Sequence, residues 1–275
     1  MNIAYEKLEK SKGKLEIKIK NNNLSKLFQQ GSLKALLPNF HENLQQLMLI
    51  NTAGGITSGD NFHSKIDLDN SNICISTQAG CAMQCIFCAT GLQGLKRNLS
   101  TSEILEQVLY FSKMRKVTNV VFMGMGEPLA NYERVIESIK ILNDQKGLNV
   151  GARNITVSTV GLLPKIIELA KEKIQVNLAV SIHAPDNKTR SETVPINKKY
   201  PLEDLIETCK KYIESTNRKI FFEYVLLSGQ NDSEDHANKL GKLLQPLLCH
   251  LNLIPVNPTI NSNYERSRSE NIKKF

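Results

Sequence analysis

The sequence predicts an α/β fold over residues 74–275, preceded by a short β-rich segment over residues 1–73. Three observations carry this. Short apolar runs alternate with helical patterns at a spacing that suits a parallel sheet. Polar and glycine-bearing motifs recur just after those runs, where ligands gather in such sheets. Three cysteines, Cys81, Cys85 and Cys88, stand within eight residues shortly after the first run.

The early elements read as β structure. Residues 15–20 alternate apolar and polar and form a solvent-facing strand. Gly54, Gly55 and Gly59 mark a tight turn between strands. No Lys-Ser/Thr pair and no helix follow them, so a phosphate loop is excluded. From there the predicted strands are 73–77, 119–123, 154–158, 176–182, 219–226 and 250–256. Helical patterns fill the gaps at 102–113, 132–143, 164–172, 201–214 and 233–244, with a last helix over 267–275. Polar residues at Thr101-Ser-Glu-Ile cap the first helix, and Pro201 opens the fourth in its first turn.

The chain has 275 residues and a net charge of +8. Lys and Arg outnumber Asp and Glu by 26 to 20 in residues 74–275 and by 9 to 7 before them. A basic balance suits a polyanionic partner such as RNA. The N-terminus lacks the apolar core of a signal peptide, and no apolar run reaches the length of a membrane span. A cytoplasmic, reducing setting is therefore expected, in which clustered cysteines are metal ligands or catalysts. Cys209, in a helical pattern, and Cys249, at a strand start, read as packing residues.

The Cys81-X3-Cys85-X2-Cys88 spacing points to a 4Fe–4S cluster, in which three protein thiolates leave one iron open. Zinc is the rival; a structural site would need a fourth ligand, for which Cys74 is the nearby candidate. Three buried free thiols are the plainer alternative. After the second strand, Gly124-Met-Gly126-Glu127 offers close backbone approach and a carboxylate. Taken alone, Ser158 is a strand-end cap and His183 a structural histidine.

The stretch from Cys74 through Cys88 to Gly94-Leu-Lys-Arg-Asn-Leu, with Phe122–Asn131, Ser158–Gly161, Ser181–His183 and Asn257-Pro258, resembles the radical S-adenosylmethionine (SAM) enzymes. Within them it is similar to the family that methylates C2 of an adenine in 23S rRNA and in some tRNAs. A sister group acts on C8; the Gly-Leu-Lys-Arg-Asn-Leu and Gly-Glu-Pro runs lean toward C2. The resemblance implies a partial (β/α)6 radical SAM barrel. It implies that Cys81, Cys85 and Cys88 hold the 4Fe–4S cluster, and that Gly126, Glu127, Ser158, Ser181, Ile182, His183 and Asn257 contact SAM. It makes Cys74 a resolving thiol that forms a disulfide with a methyl-carrying cysteine. It also implies a reductant protein such as flavodoxin, a monomer and no membrane.

Several family features have no counterpart in this sequence. No cysteine follows Cys249, so the methyl-carrying cysteine has no match. The general base has none either, since Asp60, Asp67 and Asp69 do not sit in its motif. The family's N-terminal helical RNA-binding domain is replaced by residues 1–73. These resemble the start of the urease accessory protein D family, through Asn51-Thr-Ala-Gly-Gly-Ile-Thr-Ser-Gly-Asp60. The two resemblances meet at Ile75-Ser-Thr-Gln-Ala79. The expectation is a fusion with a radical SAM core incomplete at its C-terminus, competent for cluster binding but impaired or nonfunctional in methyl transfer.

Overall fold

The computed structural model describes residues 72–113, 116–257 and 264–275. The expected strand at 15–20, the glycine turn at 54–59, the three aspartates and Pro258 lie outside the described residues. In chain order the elements are β1 (Asn72–Cys74), β2 (Gln78–Gly80), α1 (Ala89–Leu92), β3 (Leu95–Asn98), α2 (Thr101–Ser112), β4 (Asn119–Phe122), α3 (Tyr132–Asn143), β5 (Ile155–Thr159) and α4 (Leu163–Lys171). Then come β6 (Asn177–Ser181), α5 (Asn187–Thr193), α6 (Leu202–Thr216), β7 (Ile220–Leu226), α7 (Glu234–Leu244), β8 (Cys249–Pro255) and α8 (Ser269–Lys274). Short 3₁₀ turns at Pro128–Asn131, Ala152–Asn154 and Pro195–Lys198 join them.

Six strands form one sheet in the order β1-β4-β5-β6-β7-β8, and every pair is parallel. Strand order thus follows chain order. Each crossover carries the chain to the next position with a helix on the outside, as in a singly wound half barrel. Alternation along the strands decides which side chains enter the core. Val120, Phe122, Ile155, Val157, Leu178, Val180, Ile220 and Phe222 are buried from the sheet. Ile104, Val108, Val135, Ile139, Ile166, Leu205 and Tyr212 meet them from the helices. Cys209 is fully buried in this core, and Cys249 packs against it at the start of β8, as expected of packing residues.

The structure departs from the expected elements in two places. The first strand ends at Cys74 rather than at residue 77. Past it the backbone of Ser76 bonds to a side chain: Ser76 N–H donates to Gln107 Oε1 at 2.8 Å, and Gln107 Nε2 donates to the Ser76 carbonyl at 2.9 Å. The chain then makes β2, which pairs antiparallel with β3. The second addition is α5, whose residues Asn-Lys-Thr-Arg-Ser-Glu-Thr carry no apolar period. Asp186 starts it instead, accepting from the Thr189 N–H at 2.9 Å.

Other boundaries agree to within two residues or so. The cap of α2 is Ser100, one residue before the expected polar run, in a reciprocal capping box with Glu103. Pro201 is the N-cap residue of α6 rather than a member of its first turn. Among the described residues no helix is long and apolar enough to cross a membrane.

Replacing Ser100 by Ala removes the α2 cap and should lower stability by about 1 kcal/mol. Urea denaturation of the iron-free protein checks this through a lower midpoint at an unchanged slope.

Candidate radical cofactor site

The cysteine loop runs from β2 to β3 and is closed at its neck by two glycines. A Cβ on Gly80 would lie 1.9 Å from the Gly94 carbonyl oxygen. Both residues have left-handed backbones, with φ of +80° and +68°. Cys81 N–H donates to the same Gly94 carbonyl at 3.1 Å. Inside the loop Gln84 also takes a positive φ of 54°, turning the chain back between Cys81 and Cys85. Cys88 then caps α1, and the Gly91 backbone packs on Cys85.

Two apolar residues between the ligand positions anchor the loop. Ile86 and Phe87 pack against Val225, Leu227 and Val256, at the C-terminal ends of β7 and β8. The Phe87 ring meets His183 edge-on at 4.6 Å. Ile86 N–H donates to the Thr193 carbonyl at 3.1 Å, tying the loop to the end of α5. Cys81 and Cys85 are buried, and Cys88 is half-buried.

Burial raises the Cys85 thiol far above its ordinary range, helped by Cys88, Cys81 and Glu127 and opposed by Arg190. Burial likewise pushes Cys81 up to about 11, with Met83 opposing and Cys88 and Glu127 adding. Without metal these thiols are therefore held protonated, and iron would displace their protons. Among the described residues no three His, Cys, Asp or Glu groups converge on a single-ion site. In a cubane each thiolate takes its own iron. Three cysteines on one short loop, two of them buried, are a donor set that fits that group.

Glu127 follows β4 and is buried. Its carboxylate accepts from Leu129 N–H at 3.1 Å and from Val160 N–H at 2.9 Å. Burial raises it to about 7, against the opposing Val160, Thr159 and Leu129 contacts. Its own N–H donates to Gln78 Oε1 at 2.8 Å, and Gln78 Nε2 donates to Asn98 Oδ1 at 2.7 Å. One carboxylate therefore links the loops after β4 and β5, and its amide links them to the β2–β3 hairpin. Gly126 (φ +99°) is required by the same packing: a Cβ would fall 2.5 Å from the Gln78 side chain. The close approach foreseen for this glycine is thus made by Gln78.

Ser158, Ser181 and Asn257 lie at or just beyond the C-terminal ends of β5, β6 and β8, all half-buried. These polar groups, beside Glu127 and the cysteine loop, fit a nucleoside and amino-acid ligand such as SAM. Ile182 is fully buried in the main core. His183, at φ 54°, accepts from Val225 N–H through Nδ1 at 2.9 Å, and its carbonyl accepts from Asn231 Nδ2 at 2.9 Å. Its Nδ1 is an acceptor here, so the neutral ring carries its proton on Nε2. Burial first, then Arg190, lowers it to about 3. Cys74, at the end of the edge strand β1, is an exposed residue, yet burial of its thiol pushes it up to about 11, with the Met123 backbone opposing.

Arg190 was not foreseen. It is fully buried on α5, a helix with no apolar signature, where sequence alone would make it a solvated charge. Asn231 was missed for the same reason: its side chain spans His183, Val225 and Leu227 across a loop.

Comparison with known proteins agrees with this geometry. Residues 75–240 match the radical SAM superfamily, and residues 11–83 match the UreD urease accessory protein family. The probable dual-specificity RNA methyltransferase RlmN of Clostridium novyi is 50% identical over 207 residues, covering 74% of this chain and 60% of that protein. Its counterpart from Caldanaerobacter subterraneus is 49% identical over 203 residues, covering 74% and 59%. A radical SAM methyltransferase from Sphaerobacter thermophilus superposes with a TM-score of 0.72 at 48% identity, over 74% of this chain and 61% of that one. The chain thus spans about three-fifths of the length of these relatives. Streptococcus suis SuiB bound to S-adenosylmethionine shares the fold at a TM-score of 0.56 and 17% identity.

Two measurements probe this arrangement. Gly80→Ala forces a Cβ against a backbone oxygen, and iron bound per chain after anaerobic reconstitution should fall severalfold while helical circular dichroism persists. The depressed His183 value places its stabilising contribution above pH 6.5, to be lost as pH falls toward about 3. Denaturation midpoints measured across that window should fall with acidity in the iron-free protein, and less steeply for His183→Gln.

Proposed function

Because the chain belongs to the radical SAM superfamily, whose cofactors are a 4Fe–4S cluster and S-adenosylmethionine, we propose that it derives from an RNA methyltransferase directed at C2 of an adenine. The substrates in this reading are 23S rRNA and some tRNAs. The observation that carries it is the 50% identity to a dual-specificity RNA methyltransferase, over a region that includes the whole cysteine loop.

Bound together, the two cofactors supply a carbon-centred radical through one-electron cleavage of the sulfonium. The protein's part is to hold and shield. Cys81, Cys85 and Cys88 hold the cluster. Glu127 keeps the β4 and β5 loops in register while Gly126, Ser158, Ser181, Ile182, His183 and Asn257 frame SAM. His183 acts there through its backbone and its Nε2–H, since Nδ1 is engaged by Val225. Ile86 and Phe87 exclude water behind the loop. The all-exposed strand β3 carries Lys96 and Arg97 next to the loop, with Leu92 and Leu95 64% and 45% exposed. A basic and apolar edge of this kind suits phosphates and unstacked bases. Electrons would come from a small reductant protein such as flavodoxin, with the chain a cytoplasmic monomer. Cys74 would serve as the resolving thiol.

This 275-residue polypeptide offers no cysteine after Cys249 to carry a methyl group. Cys249 itself is packed at the start of β8, with Sγ 3.9 Å from the Leu244 carbonyl. Cys249 is therefore proposed as a packing residue, and the chain as one that binds the cluster and cleaves SAM. A second reading is favoured by the UreD match over residues 11–83, which overlaps the radical SAM match at 75–83. In it the chain is a fusion of two unrelated pieces, without urease-maturation activity. Sequencing the locus from source DNA decides whether two separate genes exist.

Anaerobically reconstituted protein, given SAM, dithionite and protein-free ribosomal RNA, should release deoxyadenosine, and any methylated adenine found by mass spectrometry should be 2-methyladenine. An 8-methyladenine product would instead assign the chain to the C8 group, and absence of bound iron would remove the radical SAM assignment of the site.

A further inference from the structure

Arg190 is a buried cation with no carboxylate among its hydrogen-bond partners; the buried Glu127 carboxylate meets it only through Val160, whose N–H it accepts while Arg190 donates to the carbonyl. Its Nε donates to the Ile182 carbonyl at 3.0 Å, one terminal nitrogen to Asn197 Oδ1 at 2.9 Å, and the other to the Val160 and Ser181 carbonyls at 2.7 and 3.2 Å. All four acceptors are neutral. A guanidinium fully removed from water is unfavourable unless opposite charge compensates it. Burial accordingly lowers Arg190 to about 10, and the groups that oppose this are thiols, Cys85 first and then Cys209. The backbone of α5 ties this residue's helix to the cysteine loop. Thr193, on the next turn of α5, accepts the Ile86 N–H through its carbonyl and donates its hydroxyl to the Arg190 carbonyl at 3.3 Å. The same side chain clamps the ends of β5 and β6, the strands that carry Ser158 and Ser181.

We propose that Arg190 is a positioning residue that supplies the fixed positive charge beside the Cys85 corner of the iron–sulfur cluster while holding the β5 and β6 ends against it. This rests on the cluster reading above. Three thiolates give the occupied loop a net negative charge, which answers the missing counter-charge. When one electron arrives from a low-potential donor, dithionite in vitro, the charge beside Cys85 grows by one negative unit and no proton need move. A fixed cation stabilises that reduced state more than the oxidised one, so Arg190 raises the reduction potential.

The test is an anaerobic redox titration of the reconstituted full chain, followed by electron paramagnetic resonance, with iron and sulfide measured alongside. Arg190→Gln should lower the potential by an amount worth about tenfold in the reduction equilibrium, or about 59 mV for one electron. Arg190→Lys keeps the charge and should stay near wild type. Asn197→Asp keeps the guanidinium but sets a carboxylate against it, and should lower the potential as well. If Arg190→Gln fails to take up iron, the Asn197→Asp and Arg190→Lys values decide. Equal potentials in wild type and Asn197→Asp, or in wild type and a cluster-loaded Arg190→Gln, would overturn the proposal. A wild-type chain that bound no iron would instead overturn the cluster reading on which it stands.

Discussion

The contact between Gly80 and the Gly94 carbonyl is the constraint on which the site depends. It closes a loop of residues 81–94 tightly enough that no side chain fits at position 80. That neck makes β2 and β3 a pair, and the pair carries the cysteine loop at the open end of the half barrel. Because the loop is short and pinned, its interior residues have few ways to point. Ile86 and Phe87 turn onto the ends of β7 and β8. The loop is held by burial of its own apolar residues, so its cysteines need not do so.

The polar framework around it is built mostly from main-chain groups bridged by single side chains. Glu127, Asn131, Asn231 and Arg190 each satisfy backbone groups from two or more separate stretches of chain, and Gln78 joins the Glu127 N–H to the Asn98 side chain. Asn131, for example, donates to the carbonyls of Thr77 and Leu99 at 2.9 and 2.8 Å. Buried backbone groups must be paired, and loops cannot pair with each other as strands do. These side chains stand in for a ladder. The result is a set of strand ends held in fixed relation, as radical chemistry requires when water must be excluded.

Charge at the site runs against burial. One carboxylate, one guanidinium and the thiols of Cys81 and Cys85 are buried at the site, each shifted toward its neutral form by loss of water. Such a set is unfavourable as an empty pocket and favourable when metal takes the thiol protons. In this respect the geometry is that of a holoprotein.

The parallel α/β order, the cysteine motif and the positions at strand ends were legible in the chain alone. Apolar period and chain order are local properties, and strands in a singly wound sheet follow one another as they do in the chain. The helix boundaries over residues 101–112 and 132–143 were legible for the same reason. The β2–β3 hairpin was not, because its strands are three and four residues long and one is exposed on both faces. Nor were Arg190 and Asn231. Each role is completed by a carbonyl tens of residues away, Val160 for Arg190 and His183 for Asn231, brought to it only when β5, β6 and β7 lie side by side. The burial of these polar residues follows from tertiary structure, because the sheet assembles the last of the partners that make it tolerable.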